Sequence, residues 1–121
     1  MLASNPGVSY VDLIWNVGLD KGDVNNAIYQ HGVLAACVCS TSTAFQTYSG
    51  GVMSGDIYGT CCSHAIAITG YDDNSVPGFW NIRNSWGTGW GENGYGKIAA
   101  SAPPGVAGIR NYVAYPIVRG A

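Results

Sequence analysis

Two segments carry side chains that could do chemistry together. "CCSHAIAITGYD" sets His64 at the mouth of an apolar run, and "FWNIRNSWGTGWGENGYGKI" sets Asn84 between Arg83 and Ser85, with Trp86 and Trp90 close behind. In nucleophilic catalysis a general base has to be oriented by a third group, a carboxylate or an amide. The oxygen of Asn84 can accept from one nitrogen of the His64 ring and leave the other nitrogen free for a thiol. Asparagine stays neutral, so it orients the ring without burying a charge. An indole over the pair keeps water away and strengthens the bond, and Trp86, two residues past Asn84, is placed for that. The competing reading of His64 is a satisfied core histidine. His31, the second of two histidines, ends a short helix and reads as an exposed residue that favours the helix dipole.

The four cysteines leave three readings open. Cys37 and Cys39 lie two apart on one strand and face the same way, at a spacing of about 7 Å that is too wide for a bond between them. Cys61 and Cys62 open the neighbouring strand. The leading reading is buried thiols acting as small hydrophobes. One cross-strand disulfide, Cys37–Cys62, is the alternative. A thiolate metal site with His64 would need C-x-C…C-C-x-H, which is no recognised zinc spacing, so no metal and no cofactor is expected. "GWGENG" satisfies G-x-G-x-x-G but lacks the preceding strand, the following helix and the later acidic residue of a dinucleotide site. Its glycines read as turn positions.

The elements that must position these residues are short. Residues 22–29 read as a helix with Asp23 at its N-cap and Gly32 at C′. Residues 45–48 allow one further helical turn before Gly50-Gly51. Strands are expected at 33–39 and 65–69, apolar on both faces and so buried, and at 79–83, 94–99 and 110–118. Residues 4–7, 72–75 and 77–78 carry turn chemistry. The fold class is α+β, mainly β: an antiparallel sheet or open barrel with one or two short helices.

Composition bounds the function. Of 121 residues, 47% are hydrophobic and 10% charged, against about 25% charged in an average soluble domain. So little charge argues for a face that something else covers. A net charge of −2 without a basic run argues against nucleic acid. No apolar run reaches the ~18 residues of a membrane helix, so no membrane partner is expected. Met1-Leu2-Ala3 shows no basic n-region, and a parent's signal peptide would lie upstream.

The histidine and asparagine segments quoted above resemble the signatures of papain-like cysteine proteases. "HGVLAACVCSTSTAFQTYSGGVM" resembles the strand, loop and Tyr-Ser-Gly-Gly segment that precede the histidine there, and "AGIRNYVAYPIV" the closing strand. The likeness runs from about Asp23 to Val118 and covers only the second, β-rich lobe of a two-lobed fold; residues 1–121 are read as that lobe, with 1–22 as a lead-in segment. The resemblance implies that His64 is the general base, Asn84 its orienter, Trp86 the shield and Trp90 the border of the leaving-group side. It implies that Cys37, Cys62, Ala65 and Tyr112 line a substrate pocket, with Tyr112 at a shallow floor that suits a small apolar side chain.

The family's nucleophile is a cysteine at a helix N-terminus before a tryptophan, and no cysteine here has that context. Other departures are Asn81, Cys62, Ser63 and Val33 in place of the usual residues, and Ala107 near where the family often has a cysteine. The expected function is therefore the second lobe of a peptide-bond hydrolase, inactive alone because triad residues act as a unit. The alternative is a non-catalytic lobe that binds a peptide or partner protein through its cleft face. Expected partners are a peptide or protein substrate and the nucleophile lobe, or self-association through the cleft face. By resemblance the location is secreted or of the lysosomal or vacuolar type.

Overall fold

The computed structural model describes residues 10–15 and 21–119; the turn expected at 4–7 lies outside them, as does most of the lead-in segment. In chain order the elements are β1 (Tyr10–Trp15), α1 (Lys21–His31), β2 (Leu34–Val38), α2 (Thr43–Gln46), β3 (Val52–Met53), β4 (His64–Asp72), β5 (Phe79–Arg83), β6 (Tyr95–Ala99) and β7 (Val113–Arg119), with a 3-10 turn at Val106–Gly108. The strands form one open sheet in the order β1-β7-β2-β4-β5-β6-β3. Every pairing is antiparallel except that of β3 with β6. The α+β, mainly β class holds.

α1 begins at Lys21, two residues before the expected cap. Asp23 therefore lies in the first turn, where a carboxylate still complements the helix dipole. Gly32 closes the helix at φ +82° and returns its N–H to the carbonyl of Ile28 at 2.8 Å. Val24, Ala27 and Ile28 bury one face of α1 against the sheet. Asn25 adds a polar pin there: its Oδ1 accepts from the indole N–H of Trp80 at 2.7 Å, and its Nδ2 donates to Asp73 at 3.0 Å. Asn25 thus links α1 to β5 and to the loop after β4. Trp80 is 1% exposed, and a buried indole nitrogen needs such an acceptor.

The expectation that β2 and β4 are buried on both faces needs correction. Leu34, Ala36 and Val38 on β2 and Ile66 and Ile68 on β4 are buried, while the alternate residues are partly or fully open. The ladder sets Ala35 opposite Ala67 and Cys37 opposite Ala65, so the open face is paved with small side chains. An apolar run had been read as two buried faces; here the second face is apolar because it is smooth, not because it is filled.

The strand expected to begin at residue 110 begins at Val113, after the 3-10 turn. Arg110 is buried before it, donating from Nη1 to the carbonyl of Ser101 at 2.8 Å, with its guanidinium 5.8 Å from the centre of the Trp80 ring. β1 is an addition to the expected strands, since Tyr10–Trp15 falls within the 1–22 lead-in segment. Two-residue β3 is too short to show a period.

Candidate active site

β4 and β5 are neighbours, and their register pairs Ala67 with Arg83. β4 begins at His64 and β5 ends at Arg83, so the same register carried past that end directs Trp86 toward His64 and Asn84 toward Ile66. The sheet thus brings the ends of β4 and β5 together, and the irregular residues 84–86 carry Asn84 and Trp86 to His64.

His64 Nε2 lies 2.7 Å from Asn84 Oδ1, and the backbone N–H of Ser85 donates to the same oxygen at 2.7 Å. The second donor fixes the amide's orientation, since a flipped amide would face that N–H with its own NH2 group. An amide oxygen only accepts, so Nε2 must be the donor and the neutral ring keeps Nδ1 as its acceptor. Asn84 is 4% exposed. Its own N–H donates to the carbonyl of Gly94 at 3.0 Å, which ties the two ends of the 84–94 loop.

The indole of Trp86 stacks on the His64 ring with centroids 4.8 Å apart and planes at 27°. Trp86 remains 41% exposed, so it is a cover with one face to the ring and one to solvent. Its edge meets Phe45 at 5.6 Å and Trp90 at 6.1 Å, both T-shaped. Trp90 lies behind it, 5% exposed, and donates its indole N–H to the carbonyl of Phe45 at 2.8 Å. Trp90 backs the cover from within the core.

Phe45 was not named from the sequence, yet it carries both tryptophans. It sits in α2, capped by Ser42, whose hydroxyl accepts from the Phe45 N–H at 3.1 Å. The Ser-x-x-Phe spacing before a glycine pair was the available signal. Glu92 was missed as well. It accepts from Lys97 Nζ at 3.0 Å and from the Gly51 N–H at 2.9 Å. Lys97 first, and Gly51 next, hold its carboxyl below the ordinary 4.5. Tyr48 closes the group, donating to the Gly51 carbonyl at 2.6 Å; burial pushes its hydroxyl pKa up, so it stays a donor. Gly91, at φ +62°, turns the loop under Tyr48, and a Cβ there would strike the carbonyl oxygen of Tyr95. "GWGENG" leads into β6 and into no helix.

All four cysteines are paired, as Cys37–Cys62 and Cys39–Cys61, with Cα separations of 5.3 and 4.5 Å. The leading expectation of free thiols is overturned, and the metal alternative falls with it, because oxidised sulfurs offer no thiolate. The alternative, a single Cys37–Cys62 disulfide, names one of the two pairs, and the expectation that Cys61 and Cys62 open a strand does not hold. They precede β4 instead, and in an irregular segment both can turn toward β2. Cys37, Cys62, Ala65 and Tyr112 do come together: Cys37 is bonded to Cys62, opposite Ala65, and its N–H donates to the Tyr112 carbonyl at 3.2 Å. Tyr112 is 49% exposed.

A depression of about 510 Å³ beside Asn84 is lined by Ala65, Ala67, Ser85 and Gly94 among others. A larger apolar hollow of about 750 Å³ between residues 52–60 and 99–107 contains none of the candidate site residues, whereas the smaller one takes in Ala65 and Asn84. His31 stands apart from both, stacked on Tyr115 at 3.9 Å.

An open, mainly antiparallel sheet presents an imidazole hydrogen-bonded to an asparagine under an indole. The sequence profile of the papain family cysteine proteases matches residues 7–117, and the chain belongs to that family. Papaya proteinase 4 of Carica papaya is 41% identical over 100 residues, covering 81% of this chain and 28% of that protein. Fruit bromelain of Ananas comosus is 44% identical over 87 residues, covering 69% and 24%. Among solved structures, the Carica candamarcensis cysteine protease CMS1MS2 in complex with E-64 superposes with a TM-score of 0.76 at 30% identity, covering 90% of this chain and 49% of that one. The chain spans roughly a quarter of the length of the curated relatives it matches.

Proposed function

We propose that this chain is the base-bearing lobe of a papain-like cysteine endopeptidase and works with a nucleophilic thiol supplied by polypeptide outside these 121 residues. The observation that carries the reading is the 2.7 Å contact of His64 Nε2 with Asn84 Oδ1, which leaves Nδ1 open. In the assembled site Nδ1 takes the thiol proton, and the resulting thiolate attacks the peptide carbonyl. The imidazolium then protonates the leaving amine. A water deprotonated by Nδ1 finally releases the acyl group. Asn84 keeps the ring aligned through both proton transfers. The smooth face of Ala35, Ala67 and Ala65 supports docking of another lobe, since small side chains let a second surface approach closely.

The paired cysteines also support a second reading, a non-catalytic lobe that binds a peptide or a partner through the same face. Two cystines suit an oxidising compartment. Together with relatives such as a KDEL-tailed cysteine endopeptidase of Arabidopsis thaliana, 40% identical over 86 residues, they support a secretory, lysosomal or vacuolar location.

The purified chain is incubated with a fluorogenic dipeptide amide and an epoxysuccinyl inhibitor, and neither turnover nor adduct is expected. Adding a cysteine-bearing first lobe from a relative should restore turnover that His64→Ala abolishes. Turnover by the chain alone that is lost in His64→Ala would place the nucleophile inside it and overturn the reading. Binding of the added lobe without turnover would favour the second reading.

A further inference from the structure

His64 is the first residue of β4, and its ladder partner, Val38, is the last residue of β2. A residue at the end of both strands is where a ladder opens first. The segment before it, residues 54–63, contains no helix and no strand. Ser63 is tied to the end of β2, from its N–H to the Val38 carbonyl at 3.1 Å and from its hydroxyl to the same carbonyl at 3.4 Å, and its hydroxyl accepts from the Ser40 N–H at 3.1 Å. Among the described residues, Cys61 and Cys62 make no hydrogen bond. What holds them is sulfur: Cys61 to Cys39 and Cys62 to Cys37.

The two bonds are nested, with sequence separations of 25 and 22 residues. Once the outer loop is closed, the inner bond removes little further chain entropy, so loop closure gives no reason for a second bond. Geometry does. One crosslink lets the segment swing about it, whereas two, from consecutive residues to Cys37 on β2 and to Cys39 just past its end, fix its place and its direction. The next residues along that direction are Ser63 and His64.

We infer that the paired cystines are the positioning device for His64: they hold its ring on Asn84, and a dithiol reductant releases it. Cys61 and Cys62 are exposed, so a reducing thiolate can reach them. Each bond accepts two electrons and two protons from one dithiol, giving two cysteine thiols here and one disulfide in the reductant. The consequence for catalysis rests on the reading of His64 as the base. Under that reading the external nucleophile must be reduced while the clamp stays oxidised, which confines activity to a window of reduction potential.

The test reads the ring directly and needs no substrate. In the 15N-labelled chain, the Nε2 proton of His64 is followed by NMR, with the indole proton of Trp80, held by Asn25 in the core, as the control. Dithiothreitol is added until thiol alkylation and mass show both bonds open. His64 proton exchange should then accelerate at least tenfold or its signal vanish, Trp80 should stay unchanged, and reoxidation should restore His64. The Cys37→Ala/Cys62→Ala and Cys39→Ala/Cys61→Ala pairs should each give a partial effect. An unchanged His64 proton after full reduction would overturn the inference, and so would simultaneous loss of the Trp80 signal, which would make the bonds purely structural. Failure to find turnover in any assay bears on the proposed function alone.

Discussion

The indole of Trp86 stacks on the imidazole of His64, centroids 4.8 Å apart and planes at 27°, and covers one face of the ring. In Trp86→Ala the Nε2–H···Oδ1 bond should stay in place but meet water. The expected result is faster solvent exchange of that ring proton, with a loss of about 1 kcal/mol of stability from the lost aromatic contacts. NMR exchange and urea unfolding on the same sample separate the two effects, and unchanged exchange would show that the cover is incidental.

Asn84 Oδ1 accepts two N–H groups at 2.7 Å each. At about 1 kcal/mol per bond, Asn84→Ala should lose about 2 kcal/mol in urea unfolding, and the His64 ring should lose its fixed tautomer in 15N spectra. A variant with the wild-type ring spectrum would mean that something else orients His64.

Glu92 sets a dependence on acid. Its carboxyl is held below 4.5 in the folded chain, chiefly by Lys97. A depressed carboxyl contributes stability that is complete above the unfolded value and is lost as pH falls through the folded one. Melting temperatures taken from about pH 6 to pH 3 should therefore drop more steeply in the wild type than in Glu92→Gln, where the titrating group is gone. Parallel curves would rule out this contribution.

The disulfides should be strongly non-additive. Removing either pair leaves the loop closed and should cost about 1 kcal/mol or less, whereas removing both opens a loop of 25 residues and should cost about 3 to 4 kcal/mol. Urea unfolding of the two double variants and the quadruple variant measures this. Two equal and additive losses would mean that each bond acts alone.

The His64, Asn84 and Trp86 geometry was legible because it lies in two compact segments whose strands are neighbours, so that spacing along the chain becomes spacing across a ladder. Trp90 was legible as an aromatic near the site but not as a buried strut, since nothing in its own segment reveals the carbonyl of Phe45, 45 residues away. The disulfides were half legible. Cα reach could be judged for a strand pair, but the departure of Cys61 and Cys62 from strand geometry depends on how the 54–63 segment crosses β2. The face of Ala35, Cys37, Ala65 and Ala67 was misread because hydrophobicity does not distinguish a filled surface from a smooth one. Glu92 was invisible because two of its partners, Tyr48 and Gly51, come from a stretch more than 40 residues away.

The four residues of α2 are too few to form a helix by themselves, and what holds Phe45 in place is Ser42 on one side and Trp90 on the other. Trp90 is made 45 residues later. As the chain leaves the ribosome, the first half of this support has to wait, unformed, until the hairpin of β5 and β6 delivers the indole. The support beneath the Trp86 cover therefore joins two stretches of chain 45 residues apart, and it cannot be complete until the second of them is made.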